Sequence, residues 1–279
     1  MTRRGAYKAR EARALAARRF FHGGRRDAGN PMAEAALAPT QKADLDANDL
    51  GKTLGESSLA LRRTMVDRQL RPFDVTDVPV LQRFLDVPRE LFLPDDLLPL
   101  AYSDLAISLK DAAGRKTRTM LPPLHLARFL QGADIRPNHK VLDIAGGAGY
   151  PAALLSGLAA EVVALESDPD LAAKAKANLA AIGAANVRVE TGPLAKGAPG
   201  AGPFDVILIH GAVEDGLDAL FEQLTPNGHL LAIATADEDA GQQAVRFERS
   251  GGRLAGERPL FDASAPMLEG FEKAPAFVF

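Results

Sequence analysis

The chain of 279 residues contains no cysteine and no tryptophan, and aromatic residues make up only 6% of it. Without thiols there is no disulfide framework, no thiolate nucleophile and no cysteine-based metal site. Histidine does not make up the lack: His22, His125, His139 and His229 show no paired ligand spacing, so no metal is expected. No apolar run reaches the roughly 20 residues needed to cross a bilayer, and no membrane association is expected. A net charge of −3 argues against a general nucleic-acid binder. At 47% hydrophobic and 25% charged residues, the composition is that of an ordinary soluble protein. The expectation is a cytoplasmic monomer.

The charge is unevenly spread. Residues 1–30 hold nine basic residues against Glu11 and Asp27, so the rest of the chain carries ten net negative charges. Arg10 to Phe21 can form a basic helix with little apolar face, suited to a nucleic-acid tail, an anionic-surface anchor or a targeting peptide. The plainer reading is a poorly ordered extension, or a start placed ahead of Met32. Residues 1–56 are therefore read as a basic extension and linker, and 57–279 as one domain, helical over 57–135 and sheet-forming over 136–279.

The chain is organised around Lys140 to Glu166. Val141-Leu142-Asp143-Ile144 reads as a buried strand, Ala145-Gly146-Gly147-Ala148-Gly149 as a tight turn, Tyr150 to Ala159 as a helix, and Val162 to Leu165 as a second strand ending on Glu166. This is half of a nucleotide-binding βαβ unit: glycines let backbone N–H groups approach a ligand at the start of a helix. The acid after the second strand is placed to accept from ribose hydroxyls. Gly147 to Ala152 also satisfies G-x-G-x-x-A, which leaves a nicotinamide or flavin reading open. Asp143 counts against it. A dinucleotide turn has no use for a carboxylate there, whereas the cationic ammonium and sulfonium of S-adenosylmethionine give it a partner.

Elsewhere, strands and helices alternate. Leu59 to Leu70 reads as a helix ended by Arg71-Pro72, and a second helix over Val78 to Val87 is capped by Asp74 or Thr76. Tyr102 to Leu109 reads as a strand, Lys110 to Lys116 as a polar loop, and the residues after Pro123 as a helix. Downstream, Leu171 to Ile182 is a helix stopped by Gly183, Val187 to Glu190 a strand, and Phe204 to Ile209 a continuous apolar strand. Leu217 to Leu224 is a helix, Pro226-Asn227-Gly228 a turn and His229 to Ala234 a strand. The pattern implies an α/β layered sheet. Its ligands lie at the strands' carboxyl ends, at Asp143–Gly149, Glu166, Gly192–Leu194 and His210–Ala212.

The run from Met65 to Leu109, with M-V-x-x-Q-L, V-P-R-E-x-F-x-P and A-Y-x-D, followed by L-D-I-A-G-G-A-G-Y, resembles protein-L-isoaspartate O-methyltransferases from about Leu59 onward. The closing Phe261 to Phe279 looks like the tail of a divergent branch. The resemblance implies a doubly wound, mostly parallel seven-stranded sheet with a helical N-terminal addition. It implies S-adenosyl-L-methionine as cofactor and methyl transfer to isoaspartyl residues of damaged proteins. The cofactor would lie against Asp143, Ala145, Gly146, Gly147, Gly149, Tyr150, Glu166, Pro193 and Leu194.

The sequence also departs from that family. Where members carry T-I-S-Q-P, this chain has Thr119 to Pro123, so the active-site serine falls on Leu121 and the glutamine on Pro122. Ala145 replaces the first glycine of the turn, and Gly192-Pro193-Leu194 replaces a G-D-G whose acid contacts the adenine amine. An isoaspartyl carboxylate is already ionised near pH 7, so the site needs donors rather than a strong base. Thr119 and Thr117 are the nearest hydroxyls, with Ser264 further away. His210 is a candidate base for a neutral acceptor, or a histidine satisfied by backbone partners. Arg115, Lys116 and Arg118 are candidates to attract an anionic substrate, or solvated loop residues. Three activities stand: a methyltransferase, a family member with an altered acceptor or a scaffolding role, and a nicotinamide-dependent oxidoreductase.

Overall fold

A computed structural model describes residues 57–110, 114–235, 241–250 and 253–273. The basic segment 1–56 and residues 274–279 lie outside them, and with them the expectation of an N-terminal extension. The first helix, α1, spans 57–65 and runs on through a wider turn, Val66–Leu70. Helix α2 (Val78–Asp86) turns Val80, Leu81 and Phe84 inward, a spacing that gathers apolar residues on one face. Its cap is Asp77, whose carboxylate accepts from the Val80 N–H, and neither Asp74 nor Thr76 as the sequence suggested. Asp74 is instead left-handed at φ 64°, and Gln131 accepts from the Thr76 and Asp77 N–H groups.

The strand expected from Tyr102 forms only over Ile107–Lys110 (β1). Its first half is held in a turn, with Ser103 N–H on the Leu100 carbonyl and Gln69 donating to that of Tyr102. Strand β2 (Lys116–Met120) pairs antiparallel with β1, so Lys110 and Lys116, the two ends of the expected polar loop, are paired strand residues, and 111–113 lie outside the described residues. Helix α3 (Pro123–Gly132) follows.

The central sheet comprises β3 (Lys140–Ile144), β4 (Glu161–Glu166), β5 (Val187–Thr191), β6 (Phe204–Val213), β7 (Leu224–Thr235), β8 (Gln242–Ser250) and β9 (Arg253–Asp262), in the order β5-β4-β3-β6-β7-β8-β9. The pairs from β5 to β7 are parallel, and β8 and β9 are antiparallel additions. The expected seven-stranded, mostly parallel sheet is present. Helices α4 (Tyr150–Leu155), α5 (Pro169–Ile182) and α6 (Asp218–Glu222) fill the connections.

Alternate residues of the parallel strands feed two cores. Val141, Val206, Leu208 and Leu231 face one, and Leu142, Ile144, Ile207, Ile209 and Leu230 the other. Each such fully buried side chain contributes roughly 1.5–3 kcal/mol, which is why these strands carry almost no polar residues.

Two expectations are corrected by hydrogen bonding. Helix α4 stops at Leu155 rather than Ala159 because Arg83 of α2 takes the Ala153 and Leu154 carbonyls. The Pro226 turn belongs to β7: pairing jumps from Phe204↔Leu224 to Val206↔His229, leaving 225–228 as a bulge.

The last carbonyls of α3 are claimed by the sheet. His229 Nε2 donates to the Ala133 carbonyl at 2.7 Å, and Arg246 Nη1 to that of Gly132 at 3.2 Å. Burial, then the nearby Arg246 charge, holds the His229 ring below its ordinary pKa of 6.5. The unfolded chain therefore takes up this proton first, so the native state loses stability as pH falls below that value. His229→Gln keeps a donor for Ala133 and removes the titration. Its urea midpoint should fall less than the wild type's between about pH 7.5 and about pH 5.5.

Candidate active site

The carboxyl ends of β3, β4 and β6 converge on one spot. After Ile144 the chain must turn sharply into α4, and it does so with Ala145 at φ 61° and Gly147 at φ 63°. The alanine sits in a left-handed conformation that costs an L-residue roughly 1–2 kcal/mol, held by its N–H on the Leu165 carbonyl at 3.0 Å. At Gly147 a Cβ would lie 2.8 Å from the Leu109 side chain, so the β1–β2 hairpin rests directly on the turn.

Beneath the turn, Asp143 is 1% exposed. Its Oδ1 lies 2.5 Å from His210 Nε2, and the imidazole packs near Phe129 of α3. Oδ2 is buried with no hydrogen-bond partner among the described residues. It points at Gly146, where a Cβ would come within 2.6 Å of it. A buried carboxylate oxygen without a donor is costly, and such atoms mark places that a ligand completes.

At the end of β4, Glu166 meets Arg118 of β2. Arg118 Nη2 lies 2.6 Å from Oε1, and Nε donates to Oε2 at 3.2 Å. The N–H groups of Gly147, Ser167 and Asp168 donate to the same carboxylate. Arg118 also forks onto Glu269, at 3.1 and 2.8 Å. Burial pushes the Glu166 carboxyl up, against the opposing pull of Arg118 and the backbone donors. Arg118 stays a cation: burial opposes its charge, but the two carboxylates raise its pKa. Burial also acts to raise Glu269, yet hydrogen bonds from Arg118 and Ser167 hold it below the ordinary carboxylate value.

Glu269 belongs to a C-terminal segment that crosses the end of β6. The Ala212 N–H donates to Pro266 and the Ala212 carbonyl accepts from Leu268, at 2.9 and 3.0 Å. Gly211 makes room for this: a Cβ there would be 2.4 Å from Leu268 Cγ. Between the segment, β2 and the first turn of α5 lies a cavity of about 910 Å³, bordered by Ser108, Arg115, Thr117, Thr119, Ser167 and Glu269 among others.

Residues 63–259 match the family model described as Protein-L-isoaspartate(D-aspartate) O-methyltransferase. The chain is 37% identical over 193 residues to the protein-L-isoaspartate O-methyltransferase of Koribacter versatilis, covering 69% of this chain and 84% of that one. Identity to the Methanoregula boonei protein of the same name is 37% over 197 residues, covering 71% and 88%. A solved protein-L-isoaspartate O-methyltransferase superposes with a TM-score of 0.61 at 26% identity, over 74% of this chain and 67% of that one. A Plasmodium falciparum structure in complex with S-adenosyl-L-homocysteine shares the fold, with a TM-score of 0.62 over 76% of this chain and 98% of that one at 18% identity. The chain belongs to the protein-L-isoaspartate O-methyltransferase family.

Family membership sets aside the nicotinamide reading of Gly147 to Ala152. The residues at the turn suit this family's methyl donor, because the unpartnered Asp143 oxygen under Gly146 offers an acceptor to a cationic ligand. The blocks that carried the resemblance frame the site. Arg89, fully buried, donates to the Leu121 carbonyl at 2.8 Å, Glu90 accepts from the Tyr102 hydroxyl, and Asp104 accepts from the Leu124 N–H at 3.1 Å.

Of the residues picked from sequence, the structure brings Asp143, Ala145, Gly146, Gly147, Gly149, Glu166 and His210 together. Thr119 and Thr117 border the cavity. Other side chains point elsewhere. Leu121 is 3% exposed and packed in the core, and Tyr150 is fully buried against Phe84 and Phe92 with the Arg89 guanidinium over its ring. Leu194 is likewise core, Pro193 is exposed, and Ser264 is hydrogen-bonded to Gln242 away from the cavity. Arg118 is buried, not a solvated loop residue. Its place was readable from the two-residue period of β2, which sets it on the face of Met120. Glu269 gave no sequence signal. Leu121→Ser should destabilise the fold by about 2–4 kcal/mol in urea titration, as expected for a truncated core leucine.

Proposed function

We propose that this chain transfers a methyl group from S-adenosyl-L-methionine to a carboxylate of isoaspartyl residues in damaged proteins. The reading rests first on the unpartnered Asp143 Oδ2 beneath the glycine turn. When bound, the cofactor supplies an electrophilic methyl on a sulfonium. The protein's part is to hold donor and acceptor in line and to exclude water.

Backbone groups of Ala145, Gly146, Gly147, Gly149 and Tyr150 hold the donor's amino-acid portion, helped by the Asp143 carboxylate. Glu166 takes the ribose hydroxyls. Pro193 and the backbone at Leu194 would flank the adenine, whose amine would find no acidic side chain at that position. Thr119, with Thr117, donates to the acceptor carboxylate. His210, joined to Asp143, acts on the orientation of that carboxylate rather than as a base. Leu121 contributes through its position on the Arg89-held backbone.

Residues 57–279 would work as one domain and as a cytoplasmic monomer, with 1–56 an extension outside it. Among the described residues no helix is long and apolar enough to cross a membrane. The substrate is a protein or peptide, and no role for nucleic acid is assigned.

The deciding experiment supplies radiolabelled donor and a synthetic isoaspartyl peptide, with the aspartyl peptide as control. Label transferred to the isoaspartyl peptide alone is the expected result. Donor binding by calorimetry without transfer to either peptide would reject the acceptor assignment and favour an altered or scaffolding member. Asp143→Asn should weaken binding of S-adenosyl-L-homocysteine by about ten- to a hundredfold, since a charged acceptor is lost while the side-chain volume is kept.

A further inference from the structure

Glu166 is fully engaged. Its two oxygens offer about four lone-pair sites. They already receive four N–H donors, one from Arg118 Nε and one each from Gly147, Ser167 and Asp168, and Arg118 Nη2 stands in ion-pair contact with Oε1 besides. The backbone donors are fixed by the turn and by the start of α5. Only the guanidinium, on a flexible side chain, can give way. A ribose diol needs the same two oxygens.

The guanidinium also has somewhere to go. Nη1 and Nη2 already grip both oxygens of Glu269, and Ser167 Oγ accepts from Nη2 at 2.6 Å. Glu269 is half exposed on the cavity's rim, whereas Glu166 is 3% exposed. Moving outward therefore relieves Arg118 of burial and gives up Glu166, but keeps Glu269 as its carboxylate partner. The charges favour the exchange, because two carboxylates face one guanidinium here and an incoming sulfonium brings a second cation.

We infer that Arg118 is a built-in competitor for the ribose site, so that S-adenosyl-L-methionine enters only as the arginine withdraws from Glu166 onto Glu269. The inference rests on the assignment of Glu166 to the ribose. It makes Arg118 a residue that sets donor affinity from within the protein. Glu269, at the far end of the chain, sets how readily the arginine leaves.

Calorimetric titration of S-adenosyl-L-methionine into the full-length protein separates the possibilities. Arg118→Gln should bind about tenfold more tightly than wild type, because a charge-assisted contact no longer has to be broken. Arg118→Lys, which cannot fork across two carboxylates, should fall between them. Glu269→Gln should bind more weakly, having lost the acceptor that receives the displaced charge. Thermal melts establish that each variant is folded. Equal or weaker binding by both folded Arg118 variants would overturn the inference, making Arg118 a support for Glu166. If Glu166→Gln binds as wild type does, the ribose assignment itself fails and the inference with it.

Discussion

Arg118, with Glu166 and Glu269, ties together three parts of the chain. The guanidinium comes from the hairpin, the carboxylate from the end of β4, and Glu269 from the segment after β9. Burying such charges costs several kcal/mol of desolvation, recovered only where every donor and acceptor is matched. Here the matching is dense, through backbone N–H groups on one carboxylate and a fork onto the other. The hairpin can therefore lie flat on the glycine turn, and the cavity acquires a wall on each side. On the proposed reading, the same contact stands where the donor's sugar must go, so one interaction both shapes the site and regulates entry to it.

A second constraint explains how the family's serine position can hold a leucine. The segment 119–124 is held through its backbone: Arg89 grips the Leu121 carbonyl, and Asp104 takes the N–H of Leu124. Side-chain identity at 121 is then decided by packing, and leucine serves the core well. The hydroxyls that border the cavity come from the preceding strand, at Thr117 and Thr119, whose side chains alternate with those of Arg118 and Met120.

Much of this was legible in the sequence. Continuous apolar strands such as Val206 to Ile209 announce burial on both faces, and glycines between a strand and a helix announce a ligand-facing turn. The cap at Asp77 was missed because Asp74 and Thr76 offered the same chemistry within three residues, and only backbone geometry separates them. Strands β8 and β9 were implied by the seven-stranded sheet of the resemblance but were not located in the sequence. They lie at the antiparallel edge, where Gln243, Arg246 and Glu248 alternate with Ala244, Val245 and Phe247, and their apolar signal is weak. Pairings across long stretches of chain, such as Arg118 with Glu269 or Asp143 with His210, leave no local pattern at all. They are consequences of topology, visible only once the strands are laid side by side.

The tail that crosses β6 has a consequence for how a protein substrate can approach. Both polar backbone groups of Ala212 are spent on Pro266 and Leu268, so β6 offers no free main-chain partner at this residue. A damaged polypeptide cannot dock there by adding itself as another strand. On the proposed reading, an isoaspartyl substrate enters the cavity past the rim that holds Glu269.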